Sequence, residues 1–240
     1  MSLHDTNGGP QLVAAAMDIL SGHNVHISTG SDMGLYRALI AKWRPEQPLG
    51  APFDPDRHPL GAQNLFWIVG RDDQGRVVHT QAMRLIDLAD ATLAEYLRDE
   101  FRGFPPVGLD LDLPRSRYRA GPGARQLRGR AVYHGEFWLS PDTSRFRGNG
   151  LSGKVGRFAF MMAMQRWAPD CVFGFMANKV AWKGFAARHG YMHTEPGAVN
   201  WTLRGSDTTL EGFMVYNTHD DLRYVLSLPA PEADRAAQAA

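Results

Sequence analysis

The sequence predicts an α+β fold of three layers, α/β/α, in which one mixed central sheet carries helices on both faces. Three observations point there. From residue 131 onward the chain reads strand, turn, helix, strand, helix, the order that sets parallel strands side by side. Two pairs of β-rich segments, 64–87 and 198–217, bracket that unit with short turns and add antiparallel neighbours. The chain has 240 residues, 44% hydrophobic and 21% charged. That is ordinary globular usage and excludes a disordered, collagen-like or coiled-coil chain.

The elements follow in order. Residues 1–9 read as frayed, and 11–20 (QLVAAAMDIL) as a short helix. NVHIST (24–29) is a strand, and Ser31 is placed to cap a helix that runs to Trp43 and stops before Pro45. A proline-rich loop spans 45–62. The apolar runs 64–70 and 77–87 flank the turn RDDQGR, the signature of a β-hairpin. Residues 90–101 form an amphipathic helix with Leu93, Leu97 and Phe101 on one side. From Gly103 to Arg130 periodicity is lost, and Arg115, Arg117, Arg119, Arg125, Arg128 and Arg130 accumulate. A loop of that length is either a lid or anion-facing arm, or a solvated excursion pairing with acids such as Asp110 and Asp112.

After the loop, 131–140 (AVYHGEFWLS) is a strand, 141–150 a turn, and Leu151 to Trp167 an apolar helix closed before Pro169. CVFGFMA (171–177) is a buried strand, Lys179 to His189 a helix ended by Gly190, and 198–205 with 209–217 a closing strand pair. The tail 229–240 reads as disordered, so residues 1–228 are expected to form a single domain.

Composition narrows the function. The formal charge is +1, and 22 of the 26 basic residues are arginine, which disfavours generic nucleic-acid binding. No apolar run approaches a membrane span. The N-terminus lacks the pattern of a secretory signal and Cys171 is the only cysteine, so a cytoplasmic setting is expected. Metal sites find little support. His134-Gly135-Glu136 matches half of a zinc deaminase signature whose other half needs two cysteines. His189 and His193 are four apart, but Gly190 interrupts the helix that would align them.

The most informative stretch is Arg145, Phe146, Arg147, Gly148, Asn149, Gly150 and Leu151, set between a strand and a helix. Glycines turn the backbone sharply and leave N–H groups open, and the helix start adds its amides and positive dipole end, so such a turn binds anions. Gly148 to Lys154 fits seven positions of a nucleotide-binding P-loop, but Val155 lacks the hydroxyl that would hold magnesium. The same residues satisfy R/Q-x-x-G-x-G/A through Arg145, Gly148 and Gly150.

With Leu139-Ser140-Pro141-Asp142 before that turn and an apolar helix after it, the chain resembles the GNAT superfamily of acyl-CoA-dependent N-acyltransferases, whose pattern is V-x-P-D/E followed by this turn. Asn178, Ala181, Phe185 and Gly190-Tyr191 occupy places comparable to the family's next motif, and the resemblance is specific over about 131–217. It implies a GNAT-like fold in which the helix and arginine loop at about 89–130 are an insertion. It also implies acetyl-CoA or another acyl-CoA as co-substrate, with no metal. The pantetheine arm would pair with main-chain amides at Phe137, Trp138 and Leu139, the pyrophosphate would sit on residues 145–151, and Asn178 would also contact the cofactor. The acceptor would be a small-molecule or peptide amine, and acyl carrier protein is an alternative donor that could dock on the arginine loop. Many members pair as dimers, and no segment here specifies one. A non-catalytic acyl-CoA-binding domain is the other reading, because Phe185 or Ala186 stands where many members carry an acidic tyrosine.

Acyl transfer from a thioester needs a deprotonated amine and a leaving thiolate. Glu136 is the candidate base, directly or through water, and His134 the second. Alternation along the strand would place His134, Glu136 and Trp138 on one face, with Tyr133, Phe137 and Leu139 on the other. Tyr191 or Tyr133 could supply a hydroxyl to the thiolate, or it could leave unaided.

Overall fold

The computed structural model of the protein describes residues 24–141 and 150–228. The expected helix at 11–20, the frayed start and the tail from 229 lie outside the described residues, as do turn residues Arg145, Phe146, Arg147, Gly148 and Asn149.

Eight strands form one sheet. β1 (His26–Gly30), β2 (Leu65–Arg71) and β3 (Val77–Thr92) are antiparallel neighbours, and β5 (Arg128–Leu139) continues the run beside β3. β6 (Cys171–Ala177) lies parallel to β5; β8 (Thr209–Thr218), β7 (His193–Thr202) and the short β4 (Arg117–Tyr118) complete the order β1-β2-β3-β5-β6-β8-β7-β4 with antiparallel pairings. The one parallel pair among the described residues marks the crossover through α3 (Leu151–Trp167).

Helices cover both faces. On one, α1 (Met33–Trp43), α2 (Leu93–Glu100) and a 3-10 turn at Ala51–Phe53 pack Tyr36, Ile40, Phe53, Leu93 and Leu97 against Tyr133 and Phe173 of the sheet. On the other, α3, the short helix α5 (Phe185–His189) and α6 (His219–Ser227) pack Phe158, Phe160, Ala186 and Leu222 against Phe66, Val132 and Val172. Burying two apolar faces of one sheet is what makes its central strands nearly continuous in Val, Phe and Ile. Among the described residues, no helix is long and apolar enough to cross a membrane.

Local chemistry sets the element ends. Asp32, not Ser31, caps α1: its side chain accepts the Leu35 N–H at 3.0 Å. The hairpin turn closes on Asp72, whose carboxylate accepts from the amides of Gln74 and Arg76. The amphipathic helix begins at Leu93 rather than residue 90, because β3 runs on to Thr92 and a capping box of Thr92 and Glu95 starts the helix there. The helix expected over 179–189 is two pieces, α4 (Asn178–Ala181) and α5, since Gly184 takes a left-handed φ of +72° between them. The final helix, α6, was not anticipated, although Thr218 and Asp221 carry the capping-box signal.

The stretch 103–130 departs most from expectation. It is not a solvated excursion: β4 pairs with β7, Leu111 bridges Leu203, and Phe101 and Leu111 pack with Val199 and Trp201. Three of its six arginines have partners within the chain. Arg115 pairs with Asp207 at 2.8 Å, and Arg117 and Arg128 donate to the main-chain carbonyls of Pro114 and Asp90. Asp110, expected to serve that loop, is instead taken by Arg204.

Thr92→Ala removes one half of the α2 capping box. It is expected to lower stability by about 1 kcal/mol, read as a reduced urea midpoint at unchanged slope; an unchanged midpoint would show that packing of Leu93 and Leu97 alone holds the helix.

Candidate functional site

The site begins where two strands part. β5 and β6 pair only from Ala131–Cys171 to Tyr133–Phe173, although β5 continues to Leu139 and β6 to Ala177. The cause is an extra residue in β5. Its register against β3 passes from Ala82↔Gly135 to Thr80↔Trp138, three steps on one strand against two on the other, and Glu136 takes a φ of +58°. Gly174 lets β6 pass close to β5 at the point where they begin to part, since a Cβ there would lie 2.8 Å from the His134 carbonyl oxygen and 3.4 Å from the Tyr191 hydroxyl. The result is a cavity of about 710 Å³ whose walls come from both faces of the sheet.

The extra residue also resets which side chains share a face. His134 packs on the α3 face with Phe137 and Leu139, whereas Tyr133, Glu136 and Trp138 point to the α1 face. The simple alternation expected from sequence therefore fails at Gly135-Glu136, and the two candidate bases lie on opposite sides of the sheet.

On the α3 side, His134 is held in a chain of hydrogen bonds. Gln81 Nε2 donates to the Val155 carbonyl oxygen at 2.8 Å, so its Oε1 is the atom facing His134 Nε2 at 2.9 Å. Nε2 must then carry the ring hydrogen, and Nδ1, a bare acceptor, takes the Tyr191 hydroxyl at 2.9 Å. Burial, reinforced by the neighbouring His189 and His79, holds the His134 pKa well below its ordinary value, so the ring is neutral. Burial likewise raises the Tyr191 hydroxyl far above 10, and Tyr191 stays protonated. His134 is thus a poor base, and what it does is orient Tyr191. Its ring neighbour His189, with a pKa lowered to about 3 by burial, closes the wall edge-on to Phe137 at 4.6 Å.

On the α1 side, Glu136 is neither exposed nor paired with the arginine loop. Its side chain is 3% exposed and meets the fully buried Arg44 at 3.0 Å through Oε2, while Oε1 accepts the Gly50 N–H at 2.8 Å. Arg44 also donates to Thr80 Oγ1, and its guanidinium lies over the Trp138 ring. Burial pushes the Glu136 pKa up against the opposing pull of Arg44 and the Gly50 amide. Each carboxylate oxygen accepts one bond here, which leaves lone-pair capacity on both, and Glu136 is part of the cavity lining.

The remaining expected residues divide. Phe137 and Asn178 line the cavity. Asn178 Nδ2 donates to Glu211 at 2.9 Å, while its Oδ1 is buried and meets no partner among the described residues. Gly150, at a φ of +76°, and Leu151 open α3 with no side-chain cap. Trp138 and Leu139 offer no side chain to this cavity: the Trp138 ring lines a second one of about 520 Å³ beside Arg44, and Leu139 packs into the α3-face core. Gln81 and Arg44 carry no motif and come from β3 and the end of α1, so only the folded chain brings them to the site.

No protein-family model matches the chain, and no curated protein does. Solved structures are similar to it in outline. Arabidopsis thaliana NAA60 in complex with acetyl-CoA is 9% identical over 81% of this chain and 98% of that one, with a TM-score of 0.47. An N-acetyltransferase from Staphylococcus aureus Mu50 is 10% identical over 82% and 98%, with a TM-score of 0.44. A dodecameric spermidine N-acetyltransferase from Vibrio cholerae is 10% identical over 82% and 95%, with a TM-score of 0.46.

Arg44→Met leaves the Glu136 carboxylate buried without its counter-charge, at an expected cost of about 3–5 kcal/mol at neutral pH. In that variant the folded-state pKa of Glu136 rises further above the unfolded value of about 4.3. The stability deficit is therefore smallest below that value and grows as pH rises through the folded pKa. Urea unfolding at pH 4.5 and pH 7.5 measures this, and a pH-independent deficit would place the loss in packing rather than charge. Adding Glu136→Gln should recover most of it.

Proposed function

We propose that the protein transfers an acyl group from coenzyme A to an amine. The observation that carries this reading is the parting of β5 and β6 just before the R-x-x-G-x-G turn. An extended amide-bearing arm can lie along the freed edge of β5, and the turn and the start of α3 supply the amides and positive dipole end that a pyrophosphate needs. Asn178, in the lining of the same cavity, adds a polar side chain whose Oδ1 meets no partner among the described residues. Phe137, Trp138 and Leu139 contribute main chain, and Arg145, Phe146, Arg147, Gly148, Asn149, Gly150 and Leu151 the anion end. Acyl carrier protein is the alternative donor, and of the arginines it would dock on, Arg115, Arg117 and Arg128 already pair within the chain.

Coenzyme A supplies the acyl group as a thioester, whose carbonyl carbon the amine attacks as the C–S bond breaks. The chain's residues manage the protons. Glu136, made more basic by burial and held in one position by Arg44 and the Gly50 amide, accepts the proton that the amine must lose. Tyr191, on the other side of the gap, keeps its proton at neutral pH and turns its hydroxyl from His134 Nδ1 toward the departing sulfur. His134 positions that hydroxyl, and Gln81 selects the His134 tautomer that can do so. Because Tyr191 is a weaker acid than a thiol, its hydroxyl hydrogen-bonds the departing sulfur and keeps its proton, while solvent protonates the thiolate and takes the proton from Glu136.

Thermal denaturation with coenzyme A tests the ligand. At 100 times its dissociation constant it should stabilise the fold by about 2.7 kcal/mol, several degrees in Tm, whereas ATP with magnesium should not. No shift with any coenzyme A species removes the reading, and Gly148→Val, which crowds the turn, should abolish the shift. In turnover of acetyl-CoA with an amine panel, Glu136→Gln should lower kcat by about 10²–10⁴ while coenzyme A affinity stays level; undiminished kcat excludes Glu136 as the base.

A further inference from the structure

The wall of the cavity that faces α1 and α2 is aromatic and apolar. Phe104 stands edge-on to Tyr133 at 4.7 Å between ring centroids and within 6.1 Å of Phe173 and Phe175. Phe53, Val107 and Trp201 extend the lining, and Leu109 and Leu210 form its rim, 43% and 36% exposed. Large apolar side chains left at the lip of an apolar cavity mark an entry for an apolar ligand. The charges around it nearly cancel. Glu136 is offset by Arg44, and the rim carries one carboxylate, Glu211, and one ammonium, Lys179. A polycation would have to desolvate charges that this wall cannot pair. A single amine needs only one acceptor for its proton, and Glu136 is in the lining to take it.

We infer that the acceptor is a primary amine carried on an apolar, ring-bearing body, seated against Phe104 and Trp201 with its nitrogen toward Glu136. This rests on the acyltransferase reading above. The segment 101–109 of the insertion is then the wall that selects the acceptor. That assignment follows from its position, since Phe104, Val107 and Leu109 supply the lining and rim on the side of the gap away from the start of α3.

The full chain loaded with coenzyme A is titrated with 2-phenylethylamine, followed by tryptophan fluorescence and calorimetry, and release of free thiol from acetyl-CoA is measured with 2-phenylethylamine, spermidine and glycinamide. Saturable binding of 2-phenylethylamine is expected, with kcat/KM at least about tenfold above that for either other amine. Leu109→Glu and Leu210→Glu sit on the exposed rim, where folding tolerates charge. Each should raise KM for 2-phenylethylamine about tenfold and leave KM for acetyl-CoA within about twofold. Failure to bind 2-phenylethylamine, a preference for spermidine or glycinamide, or unchanged KM in both rim variants overturns the inference while coenzyme A binding leaves the acyltransferase reading standing. A tenfold gain from octanoyl-CoA with indifference to the amine's body overturns it too, by giving the wall to the acyl chain. Absence of coenzyme A binding removes the reading and the inference together.

Discussion

Everything in the site depends on one extra residue in β5. A strand that pairs with both neighbours keeps a period of two, and its side chains are assigned to faces by position alone. Inserting Glu136 at a positive φ breaks that period locally while β3 continues undisturbed. The strand therefore stays anchored on its antiparallel side and leaves its parallel neighbour. A helical crossover fixes where β6 starts, so the two strands diverge from a shared origin at Ala131 and Cys171 instead of shifting register as a whole. The same residue that opens the gap carries a carboxylate into it.

Positive φ at a non-glycine residue is unfavourable, and burying a carboxylate is more so. Both are tolerated because the surroundings over-determine them. Arg44 reaches Glu136 from the residue that ends α1, where Pro45 forbids further helix, and the Gly50 amide arrives from the loop that follows. A conformation held by an ion pair, a main-chain amide and an aromatic ring over the guanidinium loses little on binding a ligand, which is the pre-organisation a proton-transferring group requires. The arrangement across the sheet is similar in kind. Gln81 is fixed by the Val155 carbonyl, so the hydrogen on His134 and the acceptor offered to Tyr191 follow without ambiguity.

The order of β1 to β8 apart from β4, and the two antiparallel pairs, were legible in the sequence, because each is written in local periodicity and in glycine and proline placement. Glu136, His134, Tyr191, Phe137 and Asn178 were singled out, and all five border one cavity. What stayed illegible is relational. No local signal says that a strand will bulge at Gly135-Glu136, so the faces of His134 and Tyr133 were exchanged in the expectation. Arg44 lies 92 residues from its partner Glu136, and Gln81 lies 53 from His134. A polar residue in a β-rich run looks alike whether it faces solvent or a buried imidazole. The short β4 hid for a different reason: two residues of pairing are too few to impose alternation on an arginine-rich stretch.

The segment from Phe101 to Tyr118 serves the sheet edge and the cavity at once. β7 would otherwise end the sheet with an open edge and with Val199 and Trp201 bare to water, the condition under which strands recruit other chains. β4 and the Leu111–Leu203 bridge cover part of that edge, and Phe101 and Leu111 bury the apolar residues beside it. A segment already pinned there by α2 at one end and β4 at the other has a short arc left between them. That arc, running through Phe104, Pro105, Pro106 and Val107, lines the mouth of the gap. Two consecutive prolines fix φ at their own positions and restrict the residue before them, so this wall is stiff although it belongs to no helix or strand. This side of the cavity is thus built by the same segment that protects the sheet edge, and its lining residues can change without disturbing the strands that position Glu136.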